Sequence, residues 1–434
     1  MEIITYNKNN REKISSLLSY SPDEKISRVV RRVIKDVARN GDKALLRWTK
    51  EFDKVKLPLK RIRVSEGDIN RAYQRIDCDF VPLLRSAIDN VSEFYKKEKK
   101  RSFKTRKDGV VLGRIVHPIN RVGIYIPGGS APLISTVYMS VIPAKLAGVK
   151  EIALASPPDE HKEIDAHILV VANLLEIKEI YRVGGAQAIA GLAIGTQTIR
   201  KVDKIVGPGN AYVQEAKRQV FGFVDIDMLA GPSEVVIIAD ESAPTSFVVA
   251  DLLAQQEHKE GKGILVTTSQ RLAEKVKREL QKGWIVLVEN INEAAEVVNL
   301  LAPEHLEVML TKAKEFLPLI KNAGAIFVGR YSPVTVGDYF AGPSHILPTQ
   351  GRAHFHSCLS IDSFMKSSHY ISYSRKGLER AREAIGKLAE IEGMPRHKES
   401  VEVRFIQGEK TKSRGRNGEN KNSEENPQNQ RNQH

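Results

Sequence analysis

Only two cysteines, Cys78 and Cys358, occur in 434 residues, too few for a disulfide framework, and they form no C-x-x-C metal knuckle. That scarcity fits a reducing compartment. No apolar run approaches the ~18 residues that span a bilayer, and the opening "MEIITYNKNNREK" has no apolar signal-peptide core. A cytoplasmic protein is expected, in which the sequon at Asn90 to Ser92 is a chance match. Also missing are the G-x-G-x-x-G spacing of the usual dinucleotide fingerprint, the G-x-x-x-x-G-K of a P-loop, and any exact internal repeat.

What is present is a long, mixed chain. With 41% hydrophobic and 28% charged residues it reads as soluble and globular, and its length exceeds the ~250 to 300 residues at which one core stops growing, so two or more domains are expected. The net charge is +14, which raises the question of a nucleic-acid partner. Much of the excess is local. Residues 96–107, "KKEKKRSFKTRK", form a basic run, and 408–434 are almost devoid of apolar side chains, so the tail is expected to be disordered. No recognised nucleic-acid motif accompanies the charge, and a solvated basic face is the expectation.

Residues 1–95 read as a mainly helical N-terminal region, expected to pack with the second of two α/β domains. Short β-branched runs then alternate with amphipathic helices in two series, 110–232 and 233–360, the pattern of parallel sheets covered on both faces. The fold class is therefore α/β, with two Rossmann-like domains, a helical N-terminal region and a small C-terminal element at 361–407. Four segments, "IPGGSAPL", "VGGAQAIAG", "VGPGNAY" and "LAGPSEV", read as strand ends running into glycine. Glycines beyond the carboxyl ends of parallel strands allow close backbone approach to an anionic or dinucleotide ligand.

Polar groups collect elsewhere. In "ADLLAQQEHKEG" a helix starting near Ser242 or Thr245 and ending at His258 would present Gln255 and His258, an i, i+3 pair, from its last turn. "LAPEHLEV" pairs Glu304 with His305, "VGDYFAGPSHILPT" holds Asp338 and His345, and "EIEGMPRHKES" holds Glu392 and His397. Imidazole and carboxylate are the usual proton-transfer groups near neutral pH, and the Gln, His and Asp donors suit zinc without a thiolate. Spacing alone leaves each of them open to a plain role as a hydrogen-bonded loop residue.

Taken in order, "RVGIYIPGG", "VGGAQAIAGLA", "GPGNAYV", "LAGPSEV", "QQEH", "APEHLE", "GDYFAGPSHILPT" and "EGMPRHKESV" resemble the histidinol dehydrogenase family over about residues 20–405. The resemblance implies a cytoplasmic zinc-containing homodimer that oxidises L-histidinol through L-histidinal to L-histidine with two NAD. It implies Gln255, His258 and Asp338 as zinc ligands from one chain and His397 from the partner. These four, with Ser233, His305 and Glu392, would hold substrate. Tyr125, Gln187 and Asn210 match NAD contacts, and Glu304 and His305 the acid–base pair. His354 stands where relatives are expected to carry arginine or lysine, with His356 nearby. The tail after residue 407 runs past the family's usual end.

Two other classes remain to be weighed. A zinc-dependent hydrolase would use Glu304 as base beside Gln255, His258 and Asp338, but it leaves the glycine-bearing strand ends without a role. A nucleic-acid binder would use the basic run and tail and ignore the acid–base pairs, so nucleic acid is not an expected partner.

Overall fold

The computed structural model describes residues 1–19, 23–98, 101–128, 132–258 and 260–406. The expected disordered tail at 408–434, part of the first glycine loop and two lysines of the basic run lie outside these residues. In chain order the N-terminal region forms β1 (Glu2–Thr5), α1 (Arg11–Ser16), α2 (Glu24–Asn40), α3 (Asp42–Phe52), α4 (Glu66–Tyr73) and α5 (Phe80–Lys96), followed by β2 (Phe103–Lys107) and β3 (Val110–Pro118). A first alternating series runs β4 (Arg121–Tyr125), α6 (Ile134–Ala147), β5 (Glu151–Ser156), α7 (Ala166–Leu174), β6 (Glu179–Arg182), α8 (Gly185–Ile194), β7 (Lys204–Val206), α9 (Ala211–Val220) and β8 (Asp225–Ile226).

The second series runs β9 (Glu234–Ala239), α10 (Thr245–Gln256), β10 (Lys262–Thr267), α11 (Gln270–Glu279), β11 (Trp284–Leu287), α12 (Ile291–Leu301), β12 (His305–Met309), α13 (Ala313–Phe316), β13 (Ala325–Val328) and α14 (Val334–Tyr339). The chain then forms β14 (Met365–Tyr373), α15 (Arg375–Ile391) and α16 (Pro395–Ile406).

Both series give wholly parallel sheets, in the orders β6-β5-β4-β7-β8 and β1-β11-β10-β9-β12-β13. Counted within each series, the strands stand 3-2-1-4-5 in both. This is the doubly wound order, and β1 is added at the edge of the second sheet. Fully buried runs such as Glu234–Ala239 and Arg121–Tyr125 reflect helices on both faces. Alternation then sorts the second sheet: Leu306 and Val308 point into one core with α12, while Met309 joins Val248 and Leu252 of α10 in the other.

The helical N-terminal region does not pack as expected. Only β1, paired with β11, and α1, against α12, join the second sheet; α2 and α3 lie on α8, α2 also on α9, α4 on α7 and α5 on α6. The apolar stripe Val30, Val33 and Val37 of α2 completes the core beneath α8, so burial assigns these helices to the first sheet.

By internal contacts the chain divides into two compact units: Met1–Lys100 with His117–Lys366, holding both parallel sheets, and Arg101–Val116 with the chain from Ser367. The smaller unit contains an antiparallel element absent from the sequence reading, a sheet in the order β14-β3-β2. Asp108 (φ 48°) and Gly109 (φ 79°) form the two-residue turn between β2 and β3, the positive-φ pair that a hairpin requires. On its helical side, Arg382 of α15 pairs with Glu402 of α16 and lies 4.8 Å from the Phe405 ring centre.

Candidate active site

The amino ends of β9 and β12 converge with the returning end of α10, because a crossover helix runs antiparallel to the strands it connects. Glu234 opens β9 and His305 opens β12, with Glu304 just before it. The Glu234 N–H donates to Glu304 Oε2 at 2.9 Å, and His305 Nδ1 lies 3.0 Å from the Glu234 carbonyl oxygen. A carbonyl only accepts, so His305 carries its proton on Nδ1, leaving Nε2 as a lone-pair acceptor. That Nε2 is buried and without a hydrogen-bond partner among the described residues, 3.9 Å from Asp338 Oδ1. Behind it, His345 Nδ1 is 3.0 Å from the Asp338 carbonyl oxygen, and its Nε2 is 3.1 Å from the hydroxyl of Thr136 in the first turn of α6.

Burial governs the electrostatics. Desolvation pushes Glu304 well above the usual carboxyl range, helped by the charges of Glu234 and Asp338 and opposed by the Glu234 N–H and the Ser233 hydroxyl. Desolvation raises Glu234 to about 8 and Asp338 to about 6. It lowers His305 to about 3 and His345 to about 4, with the neighbouring His258 acting on both in the same direction. The cluster therefore favours neutral groups, with the carboxyls poised to hold protons and the imidazoles to give them up.

Gln255 ends the buried stripe of α10, and its Nε2 is another buried atom lacking a partner among the described residues. His258 lies beyond the helix, which stops at Gln256, so it sits in the following bend rather than in the last turn. The bend is tight: a Cβ on Gly261 would come within 1.9 Å of the Gln255 carbonyl oxygen. Ser233 stands half-buried beside Glu234. Glu392 caps α15 and His397 is exposed in the first turn of α16, both in the smaller unit. Among the described residues no three His, Cys, Asp or Glu side chains form a group able to hold a metal ion. The part of the ligand set that one larger unit offers has only two such side chains, His258 and Asp338, plus the Gln255 amide.

A second cluster lies at the carboxyl ends of β4, β6 and β7. The Tyr125 hydroxyl accepts from the Gly185 N–H at 3.1 Å, and Gln187 Nε2 donates to Asp53 at 3.1 Å, leaving Gln187 Oε1 buried without a partner among the described residues. Burial raises Tyr125 to about 12 and Asp53 to about 6. Asn210 is exposed and caps α9, accepting from the Tyr212 and Val213 N–H groups, both at 3.1 Å. Gly207 (φ +123°) passes so close to β4 that a Cβ would sit 2.1 Å from the Tyr125 carbonyl oxygen. Its backbone is held by the buried Lys217–Asp227 pair.

Three of the four glycine segments run directly on from strands, and the fourth begins three residues after β8. "LAGPSEV" precedes β9, and Gly231 instead donates its N–H to Thr349 Oγ1 at 2.6 Å. Sequence reading also missed Glu234, Thr136 and Asp53. A lone carboxylate heading the apolar run "SEVVIIA" is the signal that could have found Glu234. His354 ties Asn322 to the Leu300 carbonyl oxygen, at 2.9 and 3.3 Å, and so fastens a loop.

The histidinol dehydrogenase family model matches residues 19–405. The chain belongs to the histidinol dehydrogenase family. It is 46% identical over 400 residues to the histidinol dehydrogenase of Clostridium acetobutylicum, covering 88% of this chain and 92% of that one. The Listeria innocua histidinol dehydrogenase is 44% identical, with 89% and 95% covered. The crystal structure of histidinol dehydrogenase from Elizabethkingia anophelis superposes with a TM-score of 0.88 at 37% identity, covering 94% of this chain and 98% of that one. An oxidoreductase with a doubly wound α/β fold follows from this membership. Among the described residues no helix is long and apolar enough to cross a membrane.

Proposed function

We propose that this chain oxidises L-histidinol to L-histidinal and then to L-histidine, with NAD as hydride acceptor in both steps and zinc as the resident metal. The observation that carries the reading is the buried Glu304–His305 pair, whose orphaned His305 Nε2 faces Asp338 beside the end of α10. The donor set suits zinc: a neutral amide at Gln255, an imidazole at His258 kept neutral by desolvation, and one carboxylate at Asp338. His397 of a partner chain completes four ligands in this reading. Zinc, when bound, supplies positive charge that anchors the imidazole and amino nitrogens of the substrate.

Ser233, Glu392 and His305 complete the substrate pocket in this proposal, and Tyr125, Gln187 and Asn210 hold NAD. The cap role of Asn210 occupies its side-chain oxygen, which leaves the amide N–H groups to face the cofactor. His305 Nε2, the unprotonated ring nitrogen, takes the hydroxyl proton as the first hydride leaves. Glu304 then takes a proton from water, whose oxygen attacks the aldehyde carbon. Its raised pKa makes its ionised form a stronger base than an ordinary carboxylate. Neither Cys78 nor Cys358 belongs to these clusters, so no thiol nucleophile is assigned. As unpaired cysteines they suit a cytoplasmic enzyme.

A shared site requires a dimer, and the smaller unit leaves Leu388, Ile391 and Ile406 60%, 72% and 62% exposed. Apolar side chains this open on one helical pair support burial against a second copy. The deciding experiment follows NADH and histidine together from histidinol. Two NADH per histidine is expected; consumption of histidinol without NADH would overturn the assignment.

A further inference from the structure

Away from the acid–base cluster stands a second pair of acids, one buried and one half-buried. Glu307 lies two residues beyond His305 on the same face of β12 and is 1% exposed. Its Oε1 accepts from the Val334 N–H at 2.7 Å, while Oε2 has no hydrogen-bond donor among the described residues. The group facing it is Asp251, half-buried on α10 one turn after Val248 and one turn before Gln255. Among the described residues, each acid is the only ionisable side chain acting on the other. Across the sheet, Glu307 is in register with Ile237 of β9 and Phe327 of β13, both apolar, and α14 contributes only a backbone N–H.

Two facing carboxylates, one of them buried and with no cation between them among the described residues, resist ionising together. One proton between them relieves the repulsion and gives the orphaned oxygen its partner. Burial and mutual repulsion raise both acids above the ordinary carboxyl range. The pair also stands at a junction. Asp251 is one turn before Gln255 on α10, Val334 is one turn before Asp338 on α14, and Glu307 shares a strand face with His305.

We propose that Asp251 and Glu307 share one proton and act as a positioning pair, fastening the ends of α10 and α14 to β12 so that Gln255, Asp338 and His305 keep their mutual placement. The role assigned to those three residues rests on the function proposed above. The pair itself meets no substrate and is not catalytic.

Glu307→Gln is the sharpest probe, because its carbonyl still accepts from Val334 and its amide donates permanently to Asp251. It should keep zinc content, kcat and KM for histidinol within about twofold of wild type at neutral pH. Stability separates the two proteins. The native pKa is raised, so the proton's stabilisation is full below the ordinary carboxyl range and is lost as pH rises through the native value. The amide has no proton to lose. The Tm of Glu307→Gln minus that of wild type should therefore rise between pH 6 and 10.

Glu307→Ala removes both bonds and should raise KM for histidinol and hasten zinc loss to a chelator by roughly 10-fold, defects that Gln rescues. If Glu307→Ala does not fold, Asp251→Ala tests the same junction from the helix side. A Tm difference that stays constant with pH overturns the shared proton. Unchanged KM and zinc retention in a folded alanine variant overturn the positioning role. A wild-type protein that neither retains zinc nor oxidises histidinol overturns the site reading and with it that role, whereas the melting comparison still decides the proton.

Discussion

The two parallel sheets share one strand order but gather their buried polar clusters at opposite edges. At the carboxyl edge of the first sheet stand Tyr125, Gln187 and Asn210 among glycines, with Asp53 the one carboxyl hydrogen-bonded to them among the described residues. At the amino edge of the second stand Glu234, Glu304 and His305, buried, coupled and short of partners. Topology favours ligands beyond carboxyl ends, where helix N-termini gather. It does not fix where protons move. That is set by where ionisable groups are desolvated, and here they line the edge to which α10 returns.

This contrast can be broken most sharply at Glu304. Glu304→Gln should slow histidinal oxidation by ~10² to 10⁴ while sparing the alcohol step, as expected for loss of a general base. Equal losses in both steps, measured with each substrate separately, would remove the division of labour. Next in size is the shared site: His258→Ala and His397→Ala chains, each inactive alone, are refolded together with zinc. Mixed dimers should restore roughly a quarter of wild-type activity, because random pairing makes about half the dimers mixed and each has one intact site. A zinc-replete dimeric mixture without activity would place each site within one chain.

The first sheet's edge is expected to bind without moving protons. Gln187→Ala should raise KM for NAD by roughly 10-fold, the cost of one buried hydrogen-bonding group, with kcat nearly unchanged. A fall in kcat of the Glu304 scale would erase the contrast. The smallest effect is on stability. Glu234 is raised to about 8, so its contribution is full below the ordinary carboxyl range and lost as pH climbs through that value. Melting of the Glu234→Gln protein between pH 5 and 9 should decline less with pH than wild type, by a few °C. Parallel curves would mean that Glu234 is ionised throughout.

Much of this was legible in the chain because parallel strands buried on both faces must be apolar runs, and "RVGIY", "SEVVIIA" and "GILVT" are such runs. The motifs brought Glu304, His305 and Asp338 to notice, and the structure does bring these three together. The strand Phe103–Lys107 escaped because every residue in it is exposed and most are basic. Its signal was the Asp108–Gly109 turn. The partner sheet for α2 and α3 was not legible, since an apolar stripe states that a helix is buried but not against what. Glu234, Asp251 and Glu307 were overlooked for one common reason: each is a single acid inside an apolar segment, where composition averages it away.

The edge strand β1 gives the second sheet a history in time. The Met1 amino group donates to Gln281 across 280 residues of sequence, and Glu2 stands beside Trp284. At the ~5 to 20 residues per second of chain synthesis, β1 waits roughly 14 to 56 s for its neighbour to emerge. Only four residues long, it offers other chains little edge to pair with during that wait. The larger sheet thus closes late, around a strand made some 280 residues before its neighbour.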